Sequence, residues 1–140
     1  MIGGKVENLD NGYKDIISLK NFRNPGKLEY HSGQKIFDNA SIFINTSNPF
    51  GDGFPNTYIE CWLRGIPTIS LGFDPDGIIA TNNLGYVEKN VEQMADKIVH
   101  LFSNYNVYKD FYNNSKNYYK KHHSIELMTN GFLEKIKLLN

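Results

Sequence analysis

Apolar and polar positions divide this chain into short apolar runs and longer amphipathic stretches. Ala40-Ser41-Ile42-Phe43-Ile44-Asn45 is rich in β-branched and aromatic residues and too short for a helix. It reads as a strand buried on both faces, as in a parallel sheet. Thr68-Ile69-Ser70-Leu71 reads as the next buried strand, and Gly85-Tyr86-Val87 as a short third one. Between the first two, Tyr58, Cys61 and Trp62 share a helix face, with Pro55 in the first turn and Gly65 and Pro67 closing it. Residues 72–84, with Pro75, two glycines and Asn82-Asn83, read as a loop. Val91, Met94, Ala95, Ile98, Val99 and Phe102 predict an amphipathic helix capped by Asn90. Further helices are expected over about 106–121 and from Ile125 to Leu139.

The first forty residues carry weaker signals. Tyr13, Ile16, Ile17 and Lys20 follow helical spacing up to the Asn24-Pro25-Gly26 break. Lys27 to Tyr30 has the look of a short strand, and Gln34 to Asn39 of one or two helical turns. Strands alternating with helices predict an α/β class with a mainly parallel, Rossmann-like sheet flanked by helices, here as one domain over 1–140. In such sheets ligands bind beyond the carboxyl ends of the strands, where residues 46–54 fall. Met1-Ile2 running into Gly3-Gly4 resembles the end of a strand, so a strand and helix upstream are expected to belong to the same fold.

Composition narrows the function classes. Lys plus Arg equals Asp plus Glu at 15 each, which disfavours nucleic acid or an anionic membrane held by bulk charge. No apolar run approaches the roughly 20 residues that span a bilayer. The start lacks the basic and apolar parts of a signal peptide. A single cysteine, Cys61, forms no internal disulfide and sits on the inner helix face as a small hydrophobe. A cytoplasmic protein fits these features.

The candidate chemistry lies in Gly51-Asp52-Gly53-Phe54-Pro55-Asn56-Thr57-Tyr58-Ile59-Glu60. A glycine-flanked acid lets the backbone approach a ligand closely. The helix that follows offers free N–H groups and the positive end of its dipole, an arrangement suited to phosphate. Asp52 and Glu60 then bracket that site with hydroxyl acceptors, as a nucleotide sugar would need. An ordinary capped helix accounts for the same residues, with Asp52 as the cap. His122-His123 lack the spacing of a metal site and read as surface residues, and His31 as a solvated loop residue. Asp74-Pro75-Asp76 reads equally as a turn or as a border of the ligand site. Tyr118-Tyr119-Lys120-Lys121 reads as a solvated helix face.

The segment Asp52 to Glu60 resembles the E-x7-E signature of group 1 glycosyltransferases (family 4 type, GT-B fold), commonly E-G-F-P-N-x-x-x-E. The neighbouring segments follow the family's order. Residues 40–47 resemble the strand before the signature, and Gly65-Ile66-Pro67-Thr68-Ile69 the turn and strand after it. Asn83 to Val87, the helix over 91–102 and Ser124-Ile125-Glu126 continue the series across nearly the whole chain. The resemblance implies the C-terminal, donor-binding half of a retaining enzyme that uses no metal and takes a nucleotide sugar, UDP- or GDP-linked. Asp52 would contact the donor sugar. Backbone amides of Gly53, Phe54, Asn56 and Thr57 would hold sugar and diphosphate, and Glu60 the ribose hydroxyls. Asp52 stands where the family has Glu, one methylene longer. The family's basic diphosphate clamp and its acceptor lobe would precede Met1, so a partner lobe is implied. The alternative is a non-catalytic α/β module that docks on such a lobe. Exposed C-terminal helices would favour self-association, and contact with the inner membrane face is a further expectation for such a protein.

Overall fold

The computed structural model describes residues 15, 18–47 and 53–138. The chain separates into two compact units, Met1–Asn39 and Ala40–Asn140. The first contributes one described helix, α1 (Tyr30–Asp38). It begins where a strand over Lys27–Tyr30 was expected, and the helical turns expected from Gln34 form its second half. The side chain of Asn39 closes it by donating to the Lys35 carbonyl at 2.7 Å. The helix expected from Tyr13 falls mainly outside the described residues.

The second unit is a three-stranded parallel sheet in the order β1 (Phe43–Asn45), β2 (Thr68–Leu71), β3 (Gly85–Glu88). Five helices accompany it: α2 (Asn56–Arg64), α3 (Ile78–Thr81), α4 (Val91–Ser103), α5 (Tyr105–His122) and α6 (Ile125–Lys137). The expected α/β class with a parallel sheet flanked by helices is therefore what the chain forms. Among the described residues no helix is long and apolar enough to cross a membrane.

Alternation along the strands sorts the core into two clusters, one on each face of the sheet. Ile69 and Tyr86 point to the face where Met94 and Leu101 of α4 and Phe111 of α5 pack. Val87 and Phe43 point to the other, against Tyr58 and Trp62 of α2 and Ile79 of α3. Helix α5 serves both. Its Phe111 belongs to the first cluster, while Tyr118 and Tyr119 pack on the second.

Two glycines are fixed by backbone geometry. Gly65 ends α2 with φ +76°, and a Cβ there would lie 2.6 Å from the Tyr112 ring and 3.0 Å from Lys116 Cγ. Gly85 opens β3 with φ +155°, and a Cβ there would overlap the Thr68 carbonyl oxygen at 1.7 Å. Only hydrogen fits between β3 and β2 at that point.

Four expectations need correction. Pro55 is the N-cap of α2 and not part of its first turn. The first strand is shorter than residues 40–45, and Ile44 is half-exposed, so it is not buried on both faces. Residues 72–84 are partly helical: a 3-10 turn (Pro75–Gly77) leads into α3. Periodicity could not reveal so short a helix. It depends on Asp74, whose carboxylate accepts from the amides of Ile79 at 2.8 Å and Ala80 at 3.1 Å. Finally, α4 buries Met94 and Leu101 while Val91, Val99 and Phe102 stay exposed. The expected face is rotated, because Tyr86 and Phe111 receive the side of α4 that carries Met94 and Leu101. The predicted cap is present: Asn90 Oδ1 accepts from the Gln93 amide at 2.9 Å.

Candidate functional site

Helix α2 runs opposite to the strands beside it. Tyr58, in its first turn, meets Ser70 near the carboxyl end of β2, while Trp62, one turn later, donates to Thr68 Oγ1 at the start of β2 (3.1 Å). The N terminus of α2 therefore lies at the carboxyl ends of β1 and β2, the edge where open α/β sheets bind ligands. Its N-cap, Pro55, supplies no side-chain hydrogen bond. The Tyr58 amide turns inward to the Pro55 carbonyl at 3.1 Å. A helix start leaves the preceding amides, those of Asn56 and Thr57, without acceptors of its own.

A buried polar junction holds this end of α2 in place. Asn45 and Ser70 are cross-strand partners of β1 and β2, so their side chains meet. Asn45 Nδ2 donates to Ser70 Oγ at 3.2 Å, and Ser70 donates to the Phe73 carbonyl at 2.5 Å. The Tyr58 hydroxyl lies 3.4 Å from the same Ser70 oxygen. Asn45 Oδ1 accepts from the Ser47 amide at 3.3 Å, fixing where the chain leaves β1. Burial raises the Tyr58 pKa above its ordinary 10.0, so its hydroxyl stays protonated as a structural group. Asn45 at the end of one strand run and Ser70 inside the other were visible in the sequence. Their pairing was not, because strand register is a non-local property.

The signature residues are disposed as follows. Asp52 lies outside the described residues. Gly53 is exposed, and a Cβ on it would meet nothing within 4 Å. The Phe54 ring turns into the core, edge-on to Trp62 at 5.8 Å and tilted against Tyr58 at 6.0 Å. Asn56 is exposed, and Thr57 and Glu60 are half-buried on α2. Gly53, Phe54, Asn56 and Thr57 are thus gathered at one helix start. Glu60 follows in the second turn, where Arg64 Nη1 donates to its backbone carbonyl at 3.0 Å.

Other candidates resolve differently. Cys61 is buried, and desolvation pushes its thiol up to about 12, which leaves it unreactive as a nucleophile. Asp74 is committed to capping α3. Tyr118 and Tyr119 pack on the core, while Lys120 and Lys121 are exposed, so the expected solvated face is only half solvated. His31 is exposed, edge-on to Tyr30 at 5.6 Å. His122 is exposed and stacks on Tyr118 at 4.5 Å. His123 is not a surface residue as expected: it is half-buried against Phe54, Trp62 and Tyr118. Local spacing carries no cue for this, because His123 follows the last turn of α5 and its position depends on how α5 lies on α2. Among the described residues no group of three or more His, Cys, Asp or Glu side chains is placed to hold a metal ion. A shallow polar cleft of about 210 Å³ opens elsewhere, between Asn82 and α5 residues including Asn114, Asn117 and Lys121.

Compared with known proteins, the chain matches no family model, no curated protein and no solved structure. The fold and the site define an open parallel α/β layer with the start of α2 presented at the carboxyl ends of β1 and β2.

Proposed function

We propose that this chain is the donor-binding part of a nucleotide-sugar glycosyltransferase of the group 1 (GT-B) type, transferring with retention from a UDP- or GDP-sugar. One observation carries the reading: α2 runs against β1 and β2, so the residues after Asp52 begin a helix at the carboxyl ends of the strands. A diphosphate there would meet the amides of Gly53, Phe54, Asn56 and Thr57 and the positive end of the helix dipole. Asp52 would accept from hydroxyls of the sugar, and Glu60 from those of the ribose. As the nucleoside diphosphate leaves, negative charge grows on it, and fixed amide dipoles stabilise that charge without having to reorganise. The acceptor site would come from a companion lobe. A cytoplasmic location, free or at the inner membrane face, goes with this reading.

The test is a titration of UDP, GDP and ADP, and of their sugars, by ligand-observed NMR. The expected result is binding of one nucleotide class, weakened at least about tenfold by Glu60→Ala, the loss of one charge-assisted hydrogen-bond acceptor. Equal binding by the variant would remove Glu60 from the site. A second reading, a docking module without nucleotide affinity, is favoured by the apolar face of α6, on which no residue is buried. No nucleotide binding even with the companion lobe supplied would select it.

A further inference from the structure

We propose that His123 is a pH-dependent positioning residue: its neutral ring holds Phe54, and with it the segment entering α2, and protonation releases both. The His123 ring stacks on Phe54 at 5.9 Å with the planes 26° apart. It also lies 6.4 Å from Trp62 and 5.6 Å from Tyr118. Among the described residues its Nε2 is buried without a hydrogen-bond partner. A neutral imidazole tolerates this by keeping its proton on Nδ1. An imidazolium would bury an N–H with nothing to accept it, at the desolvation penalty of a charged donor. Turning the ring out to water relieves that penalty and removes the one stacked ring among the three that hold Phe54, leaving only its tilted and edge-on contacts with Tyr58 and Trp62.

The groups around the ring reinforce the effect. The entry segment contributes Phe54 and α2 contributes Trp62, neither of which titrates. Helix α5 contributes Tyr118 and His122. Burial lowers the His123 pKa below 6.5, and His122 lowers it further. The Tyr118 hydroxyl is held protonated, by burial and by the neighbouring charge of Asp76, so it brings no anion to the ring. The folded-state value is the depressed one. The contact is therefore fully favourable above pH 6.5 and is lost as pH falls through that value towards the folded pKa.

The entry segment carries two of the amides assigned above to the donor diphosphate, those of Gly53 and Phe54. An effect on donor affinity thus rests on the proposed function, while the release itself does not. The chain contains one tryptophan, Trp62, which serves as the reporter. The experiment follows the His123 ring and the Gly53 and Phe54 amides by NMR, and Trp62 fluorescence, from about pH 8 to pH 5 across the histidine range. The expected result is one shared midpoint below 6.5 in all four signals. The fluorescence transition should vanish in His123→Phe and persist in His122→Gln. A His123 ring that titrates at or above 6.5 overturns the inference, as does one that titrates without moving the Gly53 and Phe54 amides. The wild-type measurement decides even where His123→Phe does not fold. A shared transition without nucleotide binding at either pH would leave His123 as described and remove only the donor reading.

Discussion

Ser70 is the residue through which two strands and a helix are joined. Its hydroxyl receives Asn45 Nδ2, meets the Tyr58 hydroxyl and donates to the Phe73 carbonyl. Ser70→Ala would leave two buried polar groups, the Asn45 side-chain amide and the Tyr58 hydroxyl, and the part-buried Phe73 carbonyl each short of a partner, so a loss of about 1–3 kcal/mol is expected in urea unfolding. Ser115 makes the contrast. Its Oγ is buried with no partner among the described residues, and Ser115→Ala should be neutral or slightly stabilising in the same assay. Equal losses at both positions would mean that the junction contributes nothing beyond packing. Both serines look alike in the sequence. What separates them is the register that sets Asn45 beside Ser70, and register is invisible until the strands are paired. The burial of Tyr58, Cys61 and Trp62, by contrast, was legible from helical spacing alone.

At the scale of elements, β2 was readable because four consecutive apolar or small residues left no other use for it. The start of α4 was readable because Asn90 is a local cap. The register of β3 against β2 is not a local matter and depends on Gly85. Gly85→Ala combines a strained φ with a clash against backbone that cannot move aside. It is expected to destabilise the fold by at least about 2 kcal/mol, measured by chemical denaturation. A loss below half of that would mean that β3 can shift along β2. Helix α3 escaped the sequence reading because it is a single turn, too short for periodicity, and the Asp74 carboxylate that receives its amides stands before the 3-10 turn and not at its N-cap position. The face of α4 was misjudged because only part of its apolar stripe is buried, Val91, Val99 and Phe102 staying exposed. Packing against Tyr86 and Phe111 then chose which part to bury.

For the molecule as a whole, the unbalanced feature is α6. Its N-cap is well made, with Ser124 Oγ accepting from the Leu127 amide at 3.2 Å, yet Ile125, Met128 and Phe132 are exposed by 65–73%. An apolar stripe of this kind promotes association between copies or with a partner lobe. Phe132→Glu should therefore leave the unfolding free energy within about 0.5 kcal/mol of the parent while lowering the sedimentation-averaged mass at high concentration. A clear drop in stability would instead show that α6 is folded back onto its own chain. The exposure of the last helix was expected from the sequence. The donor role proposed for Asp52 to Glu60 rests on motif order; what the fold adds is that α2 begins at the carboxyl ends of β1 and β2.

Helix α5 touches both ends of α2. Tyr112 and Lys116 close on Gly65, and the residue after its last turn, His123, reaches Phe54. The distance between those two holds is about 16 Å of helix rise. One residue inserted between them would turn everything beyond it by about 100° and pull one hold off its target. Helix α5 thus acts as a ruler. Along this stretch the chain can change its letters, within the limits of packing, far more freely than it can change its count. A lineage that gained or lost a residue between Tyr112 and His123 would have to rebuild the entry to α2 at the same time.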